Sequence, residues 1–121
     1  MKIVLDYDDK VLPHKLKLSV FHAPHKRQHR AMFAQYREAL YRAAMDEGIH
    51  DQITAPVDLN VLFVDPTSPD LDHLLEALFI ALDGKVKLKT NFPALLESDG
   101  QVQWVSFGKF YPCEKTRSEN R

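Results

Sequence analysis

Three aspartates in the sequence could hold a divalent metal ion. Asp70 and Asp72 stand in "SPDLDHLLEALFIALDG" (68–84), where an apolar helical pattern begins, and Asp99 stands in the turn "ESDGQV" (97–102). Carboxylate oxygens around a small, hard cation are typical of Mg²⁺ and Mn²⁺ sites. Such sites often serve phosphodiester hydrolysis, because the metal stabilises the pentacoordinate phosphate and lowers the pKa of an attacking water.

A purely structural role would also explain the first two aspartates. Asp70 follows Pro69 and is placed as the N-cap of the helix, where its side chain would accept a backbone N–H near residue 72 or 73. Asp72 would lie in the first turn, where the helix dipole favours an anion. Asp99, which directly precedes a predicted strand, favours the metal site over the structural role. A strand end, a helix start and a strand start often meet at one end of a sheet. We therefore expect the three carboxylates to meet there.

Hydrophobic periodicity predicts the elements that position these residues. Alternating apolar residues indicate strands, and apolar residues at helical spacing indicate helices that end at Gly48 and near Gly84. The predicted elements are strands over 16–23, 57–65 and 101–111, helices over 30–47 and 71–82, and an additional edge strand at "IVLDY" (3–7). This order predicts an α+β fold, a small single domain with a mixed sheet and two helices packed on it.

The length and composition are those of one globular domain. The chain has 121 residues, of which 45% are hydrophobic and 27% charged, and we expect a domain over 1–112 and a polar tail over 113–121. No apolar run approaches the ~18 residues of a membrane span, and the N-terminus lacks a signal-peptide core. The single cysteine, Cys113, excludes an intrachain disulfide and fits a reducing compartment. These features predict a cytoplasmic protein.

The net charge of −1 conceals a strong segregation of charge. Residues 10–45 hold eight basic residues and one acidic, whereas residues 46–83 hold nine acidic residues and no lysine or arginine. A polyanion-binding protein with a cation site would need such a pattern, although chance clustering on a solvated surface also produces it. Candidate contacts to DNA phosphates lie in "HKRQHR" (25–30) and after the second helix; they are Lys26, Arg27, Arg30, Lys85, Lys87 and Lys89.

Two short motifs resemble those of the RusA-like Holliday junction resolvases. The hallmark of that family is a D-L-D-N-x-x-K-x-x-x-D-A-L helix entry followed by an acidic D-D-x-Q-V turn. "DLDHLLEALFIALDG" and "SDGQV" are similar to these motifs and together cover about a quarter of the chain. On this resemblance Asp70 and Asp72 match the helix-entry aspartates, and Asp99 matches the aspartate before x-Q-V. Gln101 and Val102 complete the second motif.

The resemblance implies a fold, an activity and partners. It implies a RusA-like fold and a homodimer that binds four-way DNA junctions and resolves them in recombination and repair. Catalysis would depend on Mg²⁺ or Mn²⁺ held by Asp70, Asp72 and Asp99, without a small-molecule cofactor or a membrane. It also implies a phage or prophage origin.

Two positions depart from the family motif and leave alternatives open. His73 replaces the family's asparagine, where it could hold a water or phosphate or simply lie on the helix surface. Glu76 replaces the family's lysine, and a carboxylate there cannot stabilise an anionic transition state directly. Glu76 would be a fourth metal ligand, or it would mark an inactive domain that binds branched DNA or a protein partner. A third alternative is a structural domain whose acids only cap and solubilise.

Two further groups of residues carry weaker predictions. His22, His25 and His29 have a spacing that could hold zinc, but solvated histidines among basic residues are the commoner case. Four aromatic residues near the C-terminus are expected in the core or in a dimer interface: Trp104, Phe107, Phe110 and Tyr111.

Overall fold

The computed structural model describes residues 1–23, 30–67 and 70–112, without the side chain of Arg30. The elements are β1 (Lys2–Asp8), β2 (His14–Phe21), α1 (Arg30–Asp46), β3 (Val57–Val64), α2 (Leu71–Leu82) and β4 (Val102–Phe110), with a short 3₁₀ helix (Asp99–Gln101) before β4. Every predicted element is confirmed, and α2 has the predicted bounds. Gly48 ends α1 as expected, since its φ of +78° is left-handed.

One mixed sheet carries both helices on the same face. The strand order is β1-β2-β3-β4, with β1 antiparallel to β2 and with β2, β3 and β4 mutually parallel. Alternate strand residues such as Leu18 and Val61 are buried, whereas Lys17 and Asn60 on the opposite face are exposed. Each buried leucine or valine stabilises the fold by about 1.5–3 kcal/mol. The α+β class is confirmed, and the sheet leaves one face to solvent.

The parallel strands give the sheet two chemically distinct edges. Phe21, Val64 and Phe110 are neighbours at the ends of β2, β3 and β4, and we call this end of the sheet the carboxyl edge. His14, Val57 and Val102 are neighbours at the starts of the same strands, and we call this end the amino edge. Because each helix joins two parallel strands, α1 and α2 both start at the carboxyl edge and return to the amino edge.

A buried arginine fixes the end of α2 to α1. Arg37 is only 5% exposed, and its guanidinium donates hydrogen bonds to three carbonyl oxygens: Ala81 at 3.0 Å, Asp83 at 2.8 Å and Ile80 at 3.3 Å. The last carbonyls of a helix have no partner within the helix, so they need such a donor. Burial lowers the pKa of Arg37, and the nearby Asp83 carboxylate partly offsets this effect.

The connection after α2 is also anchored. The backbone N–H of Gly84 donates to the carbonyl of Leu96, and a Cβ at Gly84 would lie 2.7 Å from the carbonyl oxygens of Leu96 and Glu97. Ile53 donates to Leu95 and accepts from Glu97, so the chain passes beside the start of β3. Only glycine lets the backbone at residue 84 come this close to Leu96 and Glu97. This contact keeps the chain that leads to Asp99 at the amino edge.

The core position predicted for the C-terminal aromatic residues is wrong, whereas the dimer interface named as the other possibility stays a prediction. Trp104, Phe107 and Phe110 are 68%, 45% and 54% exposed. Trp104 and Phe110 lie on the sheet face opposite the helices, level with Asp58 and Val64, whereas Phe107 lies on the helix-bearing face of a terminal strand. β4 has one irregularity, near its start, opposite Val57 and Asp58. No helix in the described part of the chain has the length and hydropathy needed to cross a membrane.

Candidate functional site

Two exposed carboxylates flank one imidazole where α2 begins, at the carboxyl edge. The Nδ1 atom of His73 lies 3.3 Å from Oδ2 of Asp70, and its Nε2 atom lies 3.7 Å from Oδ2 of Asp72. The side chain of His73 is 19% exposed, whereas those of Asp70 and Asp72 are 54% and 83% exposed. His73 is therefore largely covered and lies beside the two carboxylates, which face solvent.

Asp70 occupies the N-cap position without capping the helix through its side chain. Its carbonyl oxygen accepts the first helical hydrogen bond, from the N–H of Leu74 at 3.1 Å, but its carboxylate accepts no capping bond. The carboxylate lies instead within 3.3 Å of the His73 ring, away from the N–H groups of the first turn. The expected capping bond is wrong, so helix capping does not account for this carboxylate.

Sequence analysis missed a second acid–histidine pair at the same edge. His22 directly follows β2 and Asp65 directly follows β3, and His22 Nδ1 lies 3.5 Å from Oδ2 of Asp65. Both residues are left-handed, with φ of +57° and +48°, and this conformation costs residues other than glycine roughly 1–2 kcal/mol. The detectable signal was a polar residue immediately after each of two neighbouring parallel strands.

The left-handed backbone at Asp65 gives a testable stability difference. Asp65→Gly and Asp65→Ala both remove the carboxylate, but only alanine carries a Cβ that is unfavourable at φ +48°. We expect the glycine variant to be the more stable by about 1 kcal/mol in its free energy of unfolding. Urea unfolding followed by circular dichroism measures this difference. Equal stabilities would show that residue 65 is not left-handed.

Asp99 lies at the amino edge, in a turn held by Gln101. The Gln101 side chain accepts the N–H of Ser98 at 2.8 Å and donates to the carbonyls of Ile53 at 2.8 Å and Ala55 at 2.9 Å. Val102 then pairs with Val57 at the start of β3. Gln101 thus has a structural role, fixing the turn against the segment that precedes β3, and Asp99 is exposed.

The structure does not bring Asp99 to the other two aspartates within one chain. Between Asp72 and Leu82, α2 rises about 15 Å, and Leu82 already contacts Leu96 on the way to Asp99. The expected meeting of all three fails because β3, α2 and β4 form a crossover between parallel strands, with the helix start and the next strand start at opposite edges. Among the described residues, no three His, Cys, Asp or Glu side chains are grouped to hold a metal ion.

The predicted DNA contacts are divided between the two edges. Lys85, Lys87 and Lys89 are exposed in the connection that follows α2, on the side of Asp99. Arg30 is the first residue of α1, at the carboxyl edge. Glu76 is exposed one helical turn after Asp72. Some predicted residues lie outside the described parts of the chain: Lys26, Arg27, the zinc candidates His25 and His29, and Cys113.

The donor set at the carboxyl edge fits a hard cation in kind but is incomplete in one chain. Carboxylate oxygens suit Mg²⁺ or Mn²⁺, which retain several waters and need only one or two protein carboxylates together with substrate phosphate. Asp70 and Asp72 supply two such groups on one helix turn.

Comparison with protein-family models, with curated proteins and with solved structures found no match.

Proposed function

We propose that this protein is a metal-dependent, structure-selective DNA endonuclease of the RusA-like type that resolves four-way junctions as a homodimer. The observation that carries the proposal is the pair of solvent-facing carboxylates, Asp70 and Asp72, on the first turn of α2. Neither the fold nor helix capping requires both carboxylates at this position. Their motif is the one that resembles the junction resolvases.

A second copy of the chain would complete the site. In one chain Asp99 is separated from Asp72 by the length of α2, so Asp99 can join Asp70 and Asp72 only from a partner. A two-fold axis that sets the carboxyl edge of one copy beside the amino edge of the other would supply it. Each dimer would then hold two identical sites, which matches the two symmetric strands of a four-way junction.

The proposed chemistry assigns each residue a defined task. Asp70 and Asp72, with Asp99 of the partner subunit, would hold Mg²⁺ or Mn²⁺. The bound metal would polarise the scissile phosphate and lower the pKa of the attacking water. His73 would keep both helix carboxylates oriented, as the outer partners of metal ligands commonly do.

The same dimer would unite the divided basic residues. Lys85, Lys87 and Lys89 follow α2 at the amino edge, and Arg30 starts α1 at the carboxyl edge. Placing the two edges side by side would form one basic surface around each acidic site, with the sequence segment 25–30 contributing Lys26 and Arg27. Each phosphate contact would steepen the salt dependence of binding.

Glu76 favours a second candidate function, binding of branched DNA without cleavage. It is exposed one turn beyond Asp72, where the family has a lysine. A carboxylate at this position would repel the scissile phosphate unless it also binds the metal. The motif would then derive from an ancestral nuclease whose cleavage activity this protein has lost.

A synthetic four-way junction distinguishes these candidates. We expect the purified protein to cut a labelled junction, but not a linear duplex of the same sequence, in Mg²⁺ or Mn²⁺ and not in chelator. Junction-selective binding without cleavage would favour the non-cutting domain. If the protein neither binds nor cuts the junction, the proposal is contradicted and a structural domain remains.

A further inference from the structure

The two outer strands of the sheet differ in their fitness for pairing. β1 exposes Lys2, Asp6 and Asp8, and charges on an outer strand oppose association with another strand. β4 exposes a single charged residue, Lys109, beside Trp104, Phe107 and Phe110, which are the aromatic residues most open to solvent in the described structure. A long outer strand with exposed apolar residues is a template for pairing with another chain.

The backbone of β4 also presents hydrogen-bonding groups outward. Phe110 accepts a hydrogen bond from the N–H of Asp65 at 2.6 Å, so its backbone faces β3. Since strand residues alternate in direction, Ser106 and Gly108 face β3 as well. Val105 and Phe107 therefore direct their N–H and C=O groups to the outer side of β4.

We infer that β4 pairs antiparallel with β4 of a second copy, about a two-fold axis at Ser106. The inference rests on the proposed function for the existence of a dimer and deepens it by naming the surface and the register. Val105 would form a hydrogen-bonded pair with Phe107 of the partner, and Val102 would lie opposite the partner's Phe110. The result is a continuous sheet of both copies.

The register is selected by an exposed indole and a glycine. Around Ser106, Trp104 lies opposite Gly108 of the partner in a non-hydrogen-bonded pair, in which Cα atoms approach to about 4.5 Å. A Cβ at Gly108 would meet nothing within 4 Å, so the glycine is not needed inside the subunit. Glycine within a strand often marks close approach of another group, and the partner's Trp104 ring would be that group.

Neighbouring registers lack this complementarity. An axis at Val105 would place Trp104 opposite Ser106. An axis at Phe107 would place Trp104 opposite Phe110, an aromatic pair, but Gly108 opposite Ser106. Both would leave the glycine without an aromatic partner and shorten the pairing. The axis at Ser106 centres the pairing on β4 and includes its regular part from Trp104 to Gly108, beyond the irregularity opposite Val57 and Asp58.

The apolar area available suits a dimer of ordinary size. The exposed parts of the three aromatic rings in both copies amount to on the order of 600 Å², and edge-to-edge pairing would bury the part of this area that faces the partner strand. The whole exposed area is about half of the ~1,200 Å² at the lower end of stable interfaces, before the strand backbones and the exposed Leu62 are included.

The pairing has a geometric consequence for the proposed site. It sets the partner's Val102, and with it the turn of Asp99, beside Phe110 at the carboxyl edge. Asp65 bonds to Phe110 there, and α2 starts at the same edge. The two equivalent positions would be separated by about the length of β4, roughly 25 Å.

Sedimentation equilibrium of the full chain tests the inference. We expect a wild-type dimer, and we expect Gly108→Val to raise the dimer dissociation constant by at least about tenfold, because the new side chain occupies the place of the partner's indole. The subunit has room for this valine, so folding is preserved and is checked by circular dichroism. The exchange Trp104→Gly with Gly108→Trp restores the complementary pair and should restore dimerisation.

Val4→Asp on β1 is the matched control, because Val4 is about as exposed as Phe107, and it should leave the dimer intact. A monomeric wild type, unchanged association of Gly108→Val, dissociation by Val4→Asp, or failure of the exchange to restore dimerisation would each overturn the inference. A dimer that does not cut junctions would refute the proposed nuclease and leave the interface standing. Junction cleavage by a dimer that Gly108→Val leaves intact would refute the interface and leave the nuclease standing.

Discussion

Asp72→Asn and Asp99→Asn are each expected to reduce metal-dependent junction cleavage by at least about 100-fold, although these residues lie at opposite edges of the sheet in one chain. Each substitution replaces a carboxylate with a neutral amide that binds Mg²⁺ poorly. Loss of an outer-shell partner alone typically costs 10–100-fold in metal affinity or activity, so loss of a direct ligand should cost at least the upper value. Single-turnover cleavage rates at saturating protein measure the effect.

Glu97→Gln is the matched control for Asp99→Asn. Glu97 is also an exposed carboxylate, and it lies directly before the turn that holds Asp99. We expect its cleavage rate to equal that of the wild type, since no ligand role is assigned to it. If Asp99→Asn cut at the wild-type rate while Asp72→Asn were inactive, Asp99 would not belong to the site. The reason for proposing a site shared between two subunits would then be lost.

Arg37→Ala is expected to lower the free energy of unfolding by about 3 kcal/mol. The substitution leaves three carbonyl oxygens at the end of α2 without their donor, in a buried interface between the helices. Arg37→Lys retains the charge but cannot reproduce the fork of donors, so we expect an intermediate loss. Urea unfolding followed by circular dichroism measures both.

Arg42→Ala on the same helix provides the comparison for Arg37. Arg42 is exposed, and it pairs with Glu38 at 3.4 Å and lies 5.6 Å from the centre of the Phe92 ring. Such surface contacts contribute at most about 1 kcal/mol. If Arg37→Ala were no more destabilising than Arg42→Ala, the guanidinium would not hold the end of α2.

The helices were predictable because their apolar spacing is strong and their ends are marked. Gly48 adopts the left-handed conformation that ends α1, and α2 begins directly after Asp70. The sequence also contained the information that separates Asp99 from Asp70. Once β3 and β4 are taken as parallel neighbours joined by α2, the connection is a crossover, and a crossover places the start of β4 at the edge opposite the start of α2.

Other features could not be predicted from periodicity. Periodicity separates the two faces of β4 but does not show which face the helices cover, so the exposure of Trp104 and Phe110 on the open face was not predictable. The pairing of His22 with Asp65 depended on the adjacency of the two strand ends. The side chain of Asp70 was expected to cap α2, and the neighbouring His73 ring provides its alternative contact.

Co-expression of Asp72→Asn and Asp99→Asn subunits, each with a different tag, tests whether the site is shared between two copies. In a mixed dimer, one site would carry both substitutions and the other would be intact. In a random mixture of dimers we therefore expect about a quarter of all sites to be intact. Every mixed dimer isolated through both tags should have one intact site. Mixed dimers as inactive as either variant alone would contradict a shared site, since sites confined to single subunits would each lack one aspartate.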